Sequence, residues 1–201
     1  MKILVTAFEP FGDIMLNSSW EVASLLPDEI GNCIIVKELL PVDFMVAGEE
    51  LHSLIEKHSP DVVLSLGQSH KFAGLSIERV ALNLMDSTKT DNYGHIPANE
   101  PVHTDGDIAY MTTFPIRKFV DVCKQRNIPA QISNSAGTYV CNRVYYEALY
   151  NIAKSQNPMQ ALFVHLPYIP EQGKTPSVDK HLLVDGVLEV IKAIVEGQIL
   201  L

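Results

Sequence analysis

The sequence predicts an α/β protein in which helices cover both faces of an open, twisted, mostly parallel β-sheet. Apolar runs of strand length alternate with stretches of helical periodicity nearly throughout the 201 residues. This alternation is typical of three-layer α/β/α sandwiches. The length suits one sizeable core, and the apolar share of 47% is that of an ordinary globular protein. We therefore expect a single domain over residues 1–201.

The first part of the chain carries two apolar strand patterns with a helix between them. Lys2–Phe8 is an apolar run and predicts the first strand. Ser18 and Glu21 have the spacing of a capping box, which opens a helix that ends before Pro27. Cys33–Leu39, rich in Ile and Val, predicts the second strand.

The middle of the chain continues the alternation and then becomes irregular. Val46–His58 has the apolar spacing of a helix, and Val62–Leu66 is a short buried strand. Ser76–Met85 predicts one further strand. The stretch from Asp86 to Asp107 has no periodicity, and a long irregular segment inside a compact domain is usually a functional loop.

The last part of the chain again alternates helices and strands, with apolar residues spaced by four in the helical stretches. The expected elements are a helix from Pro115 within Tyr110–Asn127, a strand over Ala130–Ser133, a helix over Val140–Ile152, a strand over Ala161–His165 and a helix over Val178–Glu196.

Composition and charge exclude several classes of partner and compartment. The net charge of −9 argues against a nucleic-acid partner, which requires a basic face. The N-terminal apolar run stops at Glu9 and Pro10, too early for a signal peptide, and no apolar stretch approaches the roughly 18 residues of a membrane helix. Three cysteines without a C-x-x-C pair fit a reducing compartment. We expect a cytoplasmic protein with neither nucleic-acid nor membrane partners.

Cys141 is the strongest candidate for a catalytic residue. A loop of small and polar residues, Ser133–Thr138, leads directly into the amphipathic helix that carries it. A helix start lowers the pKa of a thiol, and its backbone N–H groups can hold an oxyanion. The alternative is a small buried hydrophobe, which is our interpretation of Cys33 in an apolar strand and of Cys123 on the apolar side of a helix.

His165 ends an apolar strand, at the edge where parallel sheets bind their ligands. It is either a core histidine or the general base for the thiol. A cysteine–histidine pair commonly has a third group that orients the imidazole. Glu78, Asp86 and Asp91 are candidates, and their spacing does not choose among them. Glu78 interrupts an apolar strand, and at this point an ion pair with Arg79 is the favoured explanation for it.

Two further segments lie at the same predicted edge. Phe8 and Phe11 flank a turn after the first strand, where two aromatic rings either wall a small flat ligand or cap the core. Gly67 and Gln68 follow the buried third strand. No His, Asp or Glu cluster has metal-ligand spacing, and neither a G-x-G-x-x-G nor a P-loop motif occurs. We therefore expect no metal and no nucleotide cofactor.

Taken together, these residues resemble pyroglutamyl peptidase type I, a family of cysteine peptidases, over nearly the whole chain. The two most specific blocks are Ser133–Asn142 around the cysteine and Phe163–Gln172 around the histidine. The shorter matching blocks are Phe8–Gly12 with Asn17 and Trp20-Glu21, Leu40–Val42, Gly67-Gln68, Glu78–Asn83 and Asp91–Gly94.

The resemblance implies an enzyme without a cofactor that removes N-terminal pyroglutamate from peptides through a thioester. It implies a catalytic triad of Cys141, His165 and Glu78, a homotetramer, and an α/β/α sandwich. It also implies a pocket with apolar walls and with backbone hydrogen-bonding groups for the lactam. The substrate-binding residues expected on this basis are Phe8, Phe11, Asn17, Gly67 and Gln68.

Two departures from the family pattern concern rate and substrate preference. Thr88, followed by Lys89, stands where the family often carries an arginine, and Ser69–Phe72 is less rich in Gly and Arg than usual. Two other functions stay open at this stage. One is a cysteine amidohydrolase that acts on another small lactam or amide, and the other is a non-catalytic α/β domain that binds a small molecule.

Overall fold

A computed structural model of the chain describes residues 1–155 and 158–198, and within these ranges one seven-stranded sheet lies between two layers of helices. The strands are β1 (Lys2–Phe8), β2 (Glu29–Ile30), β3 (Cys33–Leu40), β4 (Val62–Gln68), β5 (Leu75–Glu78), β6 (Val80–Leu82), β7 (Ala109–Met111), β8 (Ala130–Ser133) and β9 (Gln160–Leu166). The α-helices are α1 (Ser18–Ala23), α2 (Ala47–His58), α3 (Ile116–Gln125), α4 (Val140–Lys154) and α5 (Lys180–Gln198).

The central sheet is mixed but mostly parallel, with strand order β2-β3-β1-β4-β9-β5-β8. The four central strands β3, β1, β4 and β9 run in the same direction. β5 pairs antiparallel with β9 and parallel with β8, so the last two strands of the sheet run the opposite way. The ends of β4 and β9 and the antiparallel register of β5 together place the side chains of the candidate site.

Helices cover both faces of the sheet, as the sequence predicts. Alternate residues of β4 enter different cores: Leu64 packs with α1, α3 and α5, and Val63 packs with α2 and α4. Both side chains are fully buried, and burying such a side chain stabilises the fold by about 1.5–3 kcal/mol. A central strand buried on both faces is expected in a three-layer fold. The predicted fold class is therefore confirmed.

The prediction of one strand over Ser76–Met85 is wrong. β5 ends at Glu78 and belongs to the large sheet, whereas β6 begins at Val80 and pairs with β7 in a two-stranded ribbon. Arg79 lies at the break. Its N–H donates to the carbonyl of Ser133, and the carbonyl of Arg79 accepts from the N–H of Thr112. Both halves are apolar, so the residue pattern does not reveal that the chain changes sheet between them.

The start of α1 also differs from the prediction. The N-cap is Asn17, whose Oδ1 accepts from the N–H of Ser19 at 3.1 Å, and Ser18 is the first helical residue. Asn and Ser cap helices about equally well. The N–H of Ser18 instead donates to Oε1 of Gln68 at 3.0 Å, a tertiary contact that favours the earlier start. The short strands β2 and β7 are further elements that the periodicity does not predict.

The other elements lie where the sequence predicts them, with ends shifted by a few residues. No helix within residues 1–155 and 158–198 is both long and apolar enough to cross a membrane. The predicted single domain over residues 1–201 extends beyond these described ranges and stays a prediction.

Candidate active site

Cys141 is the second residue of α4, so its sulfur lies at the N-terminal turn of a helix, as predicted. The N-cap residue Tyr139 is extended and, within the described chain, makes no side-chain capping bond. The N–H groups of Asn142 and Arg143 donate to the carbonyl of Tyr139, whereas in the described chain those of Val140 and Cys141 have no acceptor. The positive end of the helix dipole and these free donors therefore lie next to the sulfur, where they attract an anion.

Gly67, near the end of β4, allows the sulfur to sit against the sheet. A Cβ atom at this position would lie 2.9 Å from Sγ of Cys141 and 2.7 Å from the ring of Phe163. Distances this short require other atoms to move, so only glycine fits here without rearrangement. Gly67 is also the register partner of His165 on the neighbouring strand β9. The thiol, this glycine and the histidine are thus brought together by the edge of the sheet.

His165 and Glu78 form a buried hydrogen-bonded pair, with Nδ1 of the imidazole 2.7 Å from Oε1 of the carboxylate. The pair results from the antiparallel register of β5 and β9. Ser76 lies opposite His165, so Glu78, two residues further along β5, is its diagonal neighbour on the same face. The alternative ion pair between Glu78 and Arg79 is wrong, because the carboxylate bonds to the histidine.

The environment of His165 favours its charged form. Burial lowers the pKa of the imidazole, but the negative charge and hydrogen bond of Cys141 and then those of Glu78 outweigh this effect, raising the pKa to about 9. Near neutral pH the ring is therefore in its imidazolium form. Since Nδ1 is bonded to Glu78, Nε2 is the nitrogen that exchanges a proton with the sulfur.

The other two candidate carboxylates do not orient the histidine. Asp86 is exposed and its Oδ1 accepts from the N–H of Asn99 at 3.1 Å. Asp91 is buried and accepts three backbone N–H groups, those of Phe44, Tyr93 and His95. Burial raises the pKa of Asp91, but these bonds lower it by more, so the net shift is downward. Asp91 therefore stabilises its loop as a carboxylate.

The remaining cysteines lie in the core, which confirms the prediction for both. Cys33 is 1% exposed and Cys123 is 0% exposed. Burial raises the pKa of each thiol, for Cys123 to about 11. A thiol with a raised pKa is a poor nucleophile at neutral pH. Cys141, by contrast, is partly exposed.

The sulfur of Cys141 lies where a wide cavity, lined by many polar residues, meets a small apolar recess. The wide cavity has a volume of about 650 Å³, and its lining includes Glu78, His165 and Cys141. The recess is much smaller, about 30 Å³. Its lining consists of Phe8, Phe11, Asn17, Val42, Gln68, Tyr139, Val140 and Cys141. A substrate bound across this boundary would place one part in the recess and the other in the cavity.

The walls of the recess are mainly apolar. The predicted residues Phe8 and Phe11 both line it, together with Val42 and Tyr139. The ring centroids of Phe11 and Tyr139 lie 6.3 Å apart. Val42 and Tyr139 are pocket residues that the sequence-based prediction did not include. Both residues lie within sequence blocks that resemble the family, and this location could have identified them as pocket residues.

Gln68 lines the recess with an amide whose orientation is fixed. Its Oε1 accepts from Nε2 of Gln172 at 2.7 Å and from the N–H of Ser18 at 3.0 Å. Within the described residues its own Nε2 makes no hydrogen bond, so this donor is free. Asn17 also borders the recess, but its Oδ1 caps α1 and its Nδ2 donates to the carbonyl of Glu9. Asn17 therefore holds the wall in place.

Polar contacts tie together the loops that form the walls. Oε1 of Glu9 accepts from the N–H of Val42 at 3.0 Å and from Nδ2 of Asn92 at 2.8 Å. The same Nδ2 donates to the carbonyl of Pro10 at 2.9 Å. The segment around Phe11, the loop after β3 and the loop that contains Asn92 are thus linked through one carboxylate and one amide. In the chain outside residues 156–157 and 199–201, no group of three or more His, Cys, Asp or Glu side chains is placed to hold a metal ion.

A protein-family model described as pyroglutamyl peptidase matches residues 1–198 of the chain. The chain belongs to the pyroglutamyl peptidase family. A pyrrolidone-carboxylate peptidase from Thermosipho africanus is 43% identical over 200 residues, 98% of each chain. One from Thermosipho melanesiensis is 41% identical over 198 residues, 96% of this chain and 98% of the relative.

Solved structures of pyroglutamyl peptidases have the same fold. A mutant pyrrolidone carboxyl peptidase from Pyrococcus furiosus superposes with a TM-score of 0.94 at 37% identity, covering 98% of this chain and all of the other. Pyroglutamyl peptidase I from Bacillus amyloliquefaciens superposes with a TM-score of 0.89 at 34% identity, covering 94% and 93%. The predicted resemblance is confirmed, and membership in this family makes the chain a cysteine-type hydrolase.

Proposed function

We propose that this chain is a cysteine exopeptidase that removes an N-terminal pyroglutamyl residue from peptides, with Cys141, His165 and Glu78 as its catalytic triad. One observation carries the proposal. The sulfur at the start of α4 lies beside a histidine that is hydrogen-bonded to a buried carboxylate, at the boundary between an apolar recess and a wider cavity. This arrangement provides a nucleophile, an acid–base group and a place for an uncharged ring.

The reaction follows from the positions of these groups. The Cys141 thiolate attacks the pyroglutamyl carbonyl carbon, and N–H groups of the first turn of α4 stabilise the oxyanion. Nε2 of His165 then gives its proton to the leaving amine as the C–N bond breaks, which leaves a thioester. Water attacks the thioester while His165 accepts its proton. The C–S bond breaks, pyroglutamate leaves, and the resting pair is restored.

The recess suits the lactam ring because the ring is flat, neutral and has no cationic amine. Phe8, Phe11 and Tyr139 supply apolar walls, and the free Nε2 of Gln68 is a donor for the lactam carbonyl. The pairing of β4 with β1 ends at Ser65, so one side of the backbone near Gly67 is open to accept the lactam N–H. Because the empty recess is only about 30 Å³, we expect the partly exposed Phe11 ring to move outward as the lactam enters.

Proline is the stringent test of this specificity. It has the same ring shape, but it lacks the lactam carbonyl and its N-terminal nitrogen is cationic. A site with buried hydrogen-bonding groups rejects an analogue that leaves them unpaired. We expect kcat/KM for a chromogenic pyroglutamyl amide to exceed that for the prolyl amide by about 10³ or more. Phe11→Ala should lower kcat/KM for the pyroglutamyl amide without creating prolyl activity.

The same assay tests the nucleophile and the competing functions. Cys141→Ser should abolish turnover while the fold stays intact, and the matched variant Cys33→Ser should stay active. Comparable turnover of prolyl and pyroglutamyl amides would mean that the lactam is not recognised. Thiol-sensitive hydrolysis without pyroglutamyl preference would favour an amidohydrolase of another small amide. Full activity of Cys141→Ser would contradict the assigned nucleophile.

We further propose that the protein is a cytoplasmic homotetramer whose chain forms one domain. The family resemblance implies the tetramer, and an assembly that buries exposed apolar side chains would gain stability from their burial. Ile108 is 89% exposed and Met15 is 86% exposed. Three free cysteines support a reducing compartment. Light scattering coupled to size-exclusion chromatography tests the assembly, and a monomeric mass would contradict it.

A further inference from the structure

The lining of the wide cavity includes two lysines. Lys71 and Lys89 both line it, and both side chains are exposed at its rim. Glu78 also lines the cavity, but its charge is engaged with His165. Asp86 is the other carboxylate in the lining. Apart from the catalytic pair, the cavity therefore has a positive balance of charge.

Neither lysine has an acidic partner among the residues that the structure describes. Across residues 1–155 and 158–198, the ammonium groups of Lys71 and Lys89 form no ion pair, whereas those of Lys37, Lys57 and Lys154 each bind a carboxylate. The protein as a whole is acidic, with a net charge of −9. A local positive charge at the cavity thus contrasts with the rest of the chain.

The backbone that carries each lysine is anchored. The ring of His70, next to Lys71, stacks on Tyr168 with an interplanar angle of 9° and a centroid distance of 6.2 Å. On the other loop, the hydroxyl of Ser87 donates to the carbonyl of Lys89 at 2.8 Å and accepts from its N–H at 2.9 Å. The hydroxyl of Tyr139 donates to the next carbonyl, that of Thr90, at 2.8 Å. The backbone of both lysines is therefore held at the cavity.

We propose that Lys71 and Lys89 form a subsite for the leaving peptide that favours a carboxylate on the residue after pyroglutamate. This inference rests on the proposed function. If the neutral ring occupies the recess, the rest of the peptide leaves through the wide cavity and passes the two lysines. The recess offers no charge, so selectivity for charge belongs to this subsite. The carboxylate of Asp86 in the same lining repels a carboxylate on the substrate, which limits the preference for an acidic residue.

The expected size of the preference for an acidic residue follows from the solvent exposure of the two lysine side chains. Ion pairs between exposed groups are weak and are screened by salt, so we expect a preference of about two- to ten-fold at low ionic strength. The substrates are three amidated dipeptides in which pyroglutamate is followed by Glu, Gln or Lys. We expect kcat/KM to decrease in that order at about 0.01 M salt and to converge at about 1 M salt, where the Debye length is only about 3 Å.

Substitutions in the lining of the cavity test whether the two lysines cause the preference for the Glu dipeptide. Lys71→Gln with Lys89→Gln should bring the ratio of kcat/KM for the Glu dipeptide to that for the Gln dipeptide close to one. Asp86→Asn should increase the ratio. The matched control is Lys118→Gln with Lys124→Gln, which removes two exposed lysines from α3, outside both cavities, and should leave the ratio unchanged.

Each outcome distinguishes the inference from the proposed function. Equal kcat/KM for the Glu and Gln dipeptides at low salt, with normal release of pyroglutamate, would overturn the subsite and leave the function standing. The subsite would also be overturned if the Lys118 and Lys124 control lost the preference for the Glu dipeptide to the same extent. The preference would then depend on the net charge of the protein and not on the lysines at the cavity. No release of pyroglutamate from any dipeptide would overturn the proposed function and the subsite with it. The salt dependence of the unmodified enzyme supports or refutes the inference even if the double variant does not fold.

Discussion

Replacing Glu78 with glutamine should slow the enzyme and move the alkaline limit of its activity to lower pH. The substitution keeps the shape of the side chain but removes the charge that faces Nδ1 of His165 at 2.7 Å. Both side chains are nearly inaccessible to water, with 9% of the histidine and 3% of the glutamate side chain exposed. Water therefore cannot replace the lost partner.

The magnitude follows from the nature of this contact. A hydrogen bond to a charged group contributes about 1.5–3 kcal/mol, and each 1.36 kcal/mol corresponds to a factor of ten. We therefore expect kcat/KM to fall by roughly 10- to 150-fold. His165→Ala should cost more, because the cysteine and the histidine act as a unit.

The pH profile separates this role from a merely structural one. The imidazolium form of His165 is required, so activity should fall as the pH rises through the pKa of this residue, about 9. Loss of the carboxylate removes one cause of the raised pKa, and the alkaline limit should move to lower pH. The assay is kcat/KM for a chromogenic pyroglutamyl amide across pH. An unchanged rate and profile in Glu78→Gln, with an inactive Asp86→Asn or Asp91→Asn, would refute our choice of carboxylate.

The same pair should make stability depend on pH. The folded pKa of His165, about 9, lies above its ordinary value of 6.5. Its protonated form therefore contributes stability that is fully present below about pH 6.5 and is lost as the pH rises through about 9. The difference in free energy of unfolding between the parent and Glu78→Gln, measured in urea, should shrink over this window. A difference that grows instead would contradict the raised pKa.

Two other substitutions test the geometry around the sulfur and the recess. Gly67→Ala places a Cβ 2.9 Å from the sulfur of Cys141. We expect kcat to fall by about 10² because the nucleophile is displaced, and the free energy of unfolding to fall by about 1–3 kcal/mol because the core is overpacked. A kcat near that of the parent enzyme would show that the close approach is unimportant. Asn92→Ala removes the amide that donates to Glu9 and Pro10, so KM should rise more than kcat falls. Tyr93→Ala, a change at an exposed neighbour, is its control, and equal effects of the two on KM would contradict the specific role of the amide.

Much of this fold and part of its site could be predicted from local patterns. Apolar runs identified most strands and period-3.6 spacing identified most helices, because each pattern depends only on neighbours along the chain. The position of Cys141 at a helix start and of His165 at a strand end followed from the same local spacing. The boundaries moved where tertiary contacts intervened, as at Asn17, where a bond from the next residue to Gln68 accompanies the earlier start of α1.

By itself, then, the sequence determined the α/β class, the thiol at a helix start and the histidine at the active edge of the sheet, because these are properties of short segments. The tertiary structure decided which carboxylate meets that histidine. Glu78 meets it only because β5 runs antiparallel to β9 in a register that places Ser76 opposite His165. Register between strands distant in sequence depends on the packing of the whole sheet, and no spacing within one segment encodes it. For the same reason, only the tertiary structure brought Tyr139 to the wall of the recess and Lys71 to the rim of the cavity that takes the leaving peptide in our proposal.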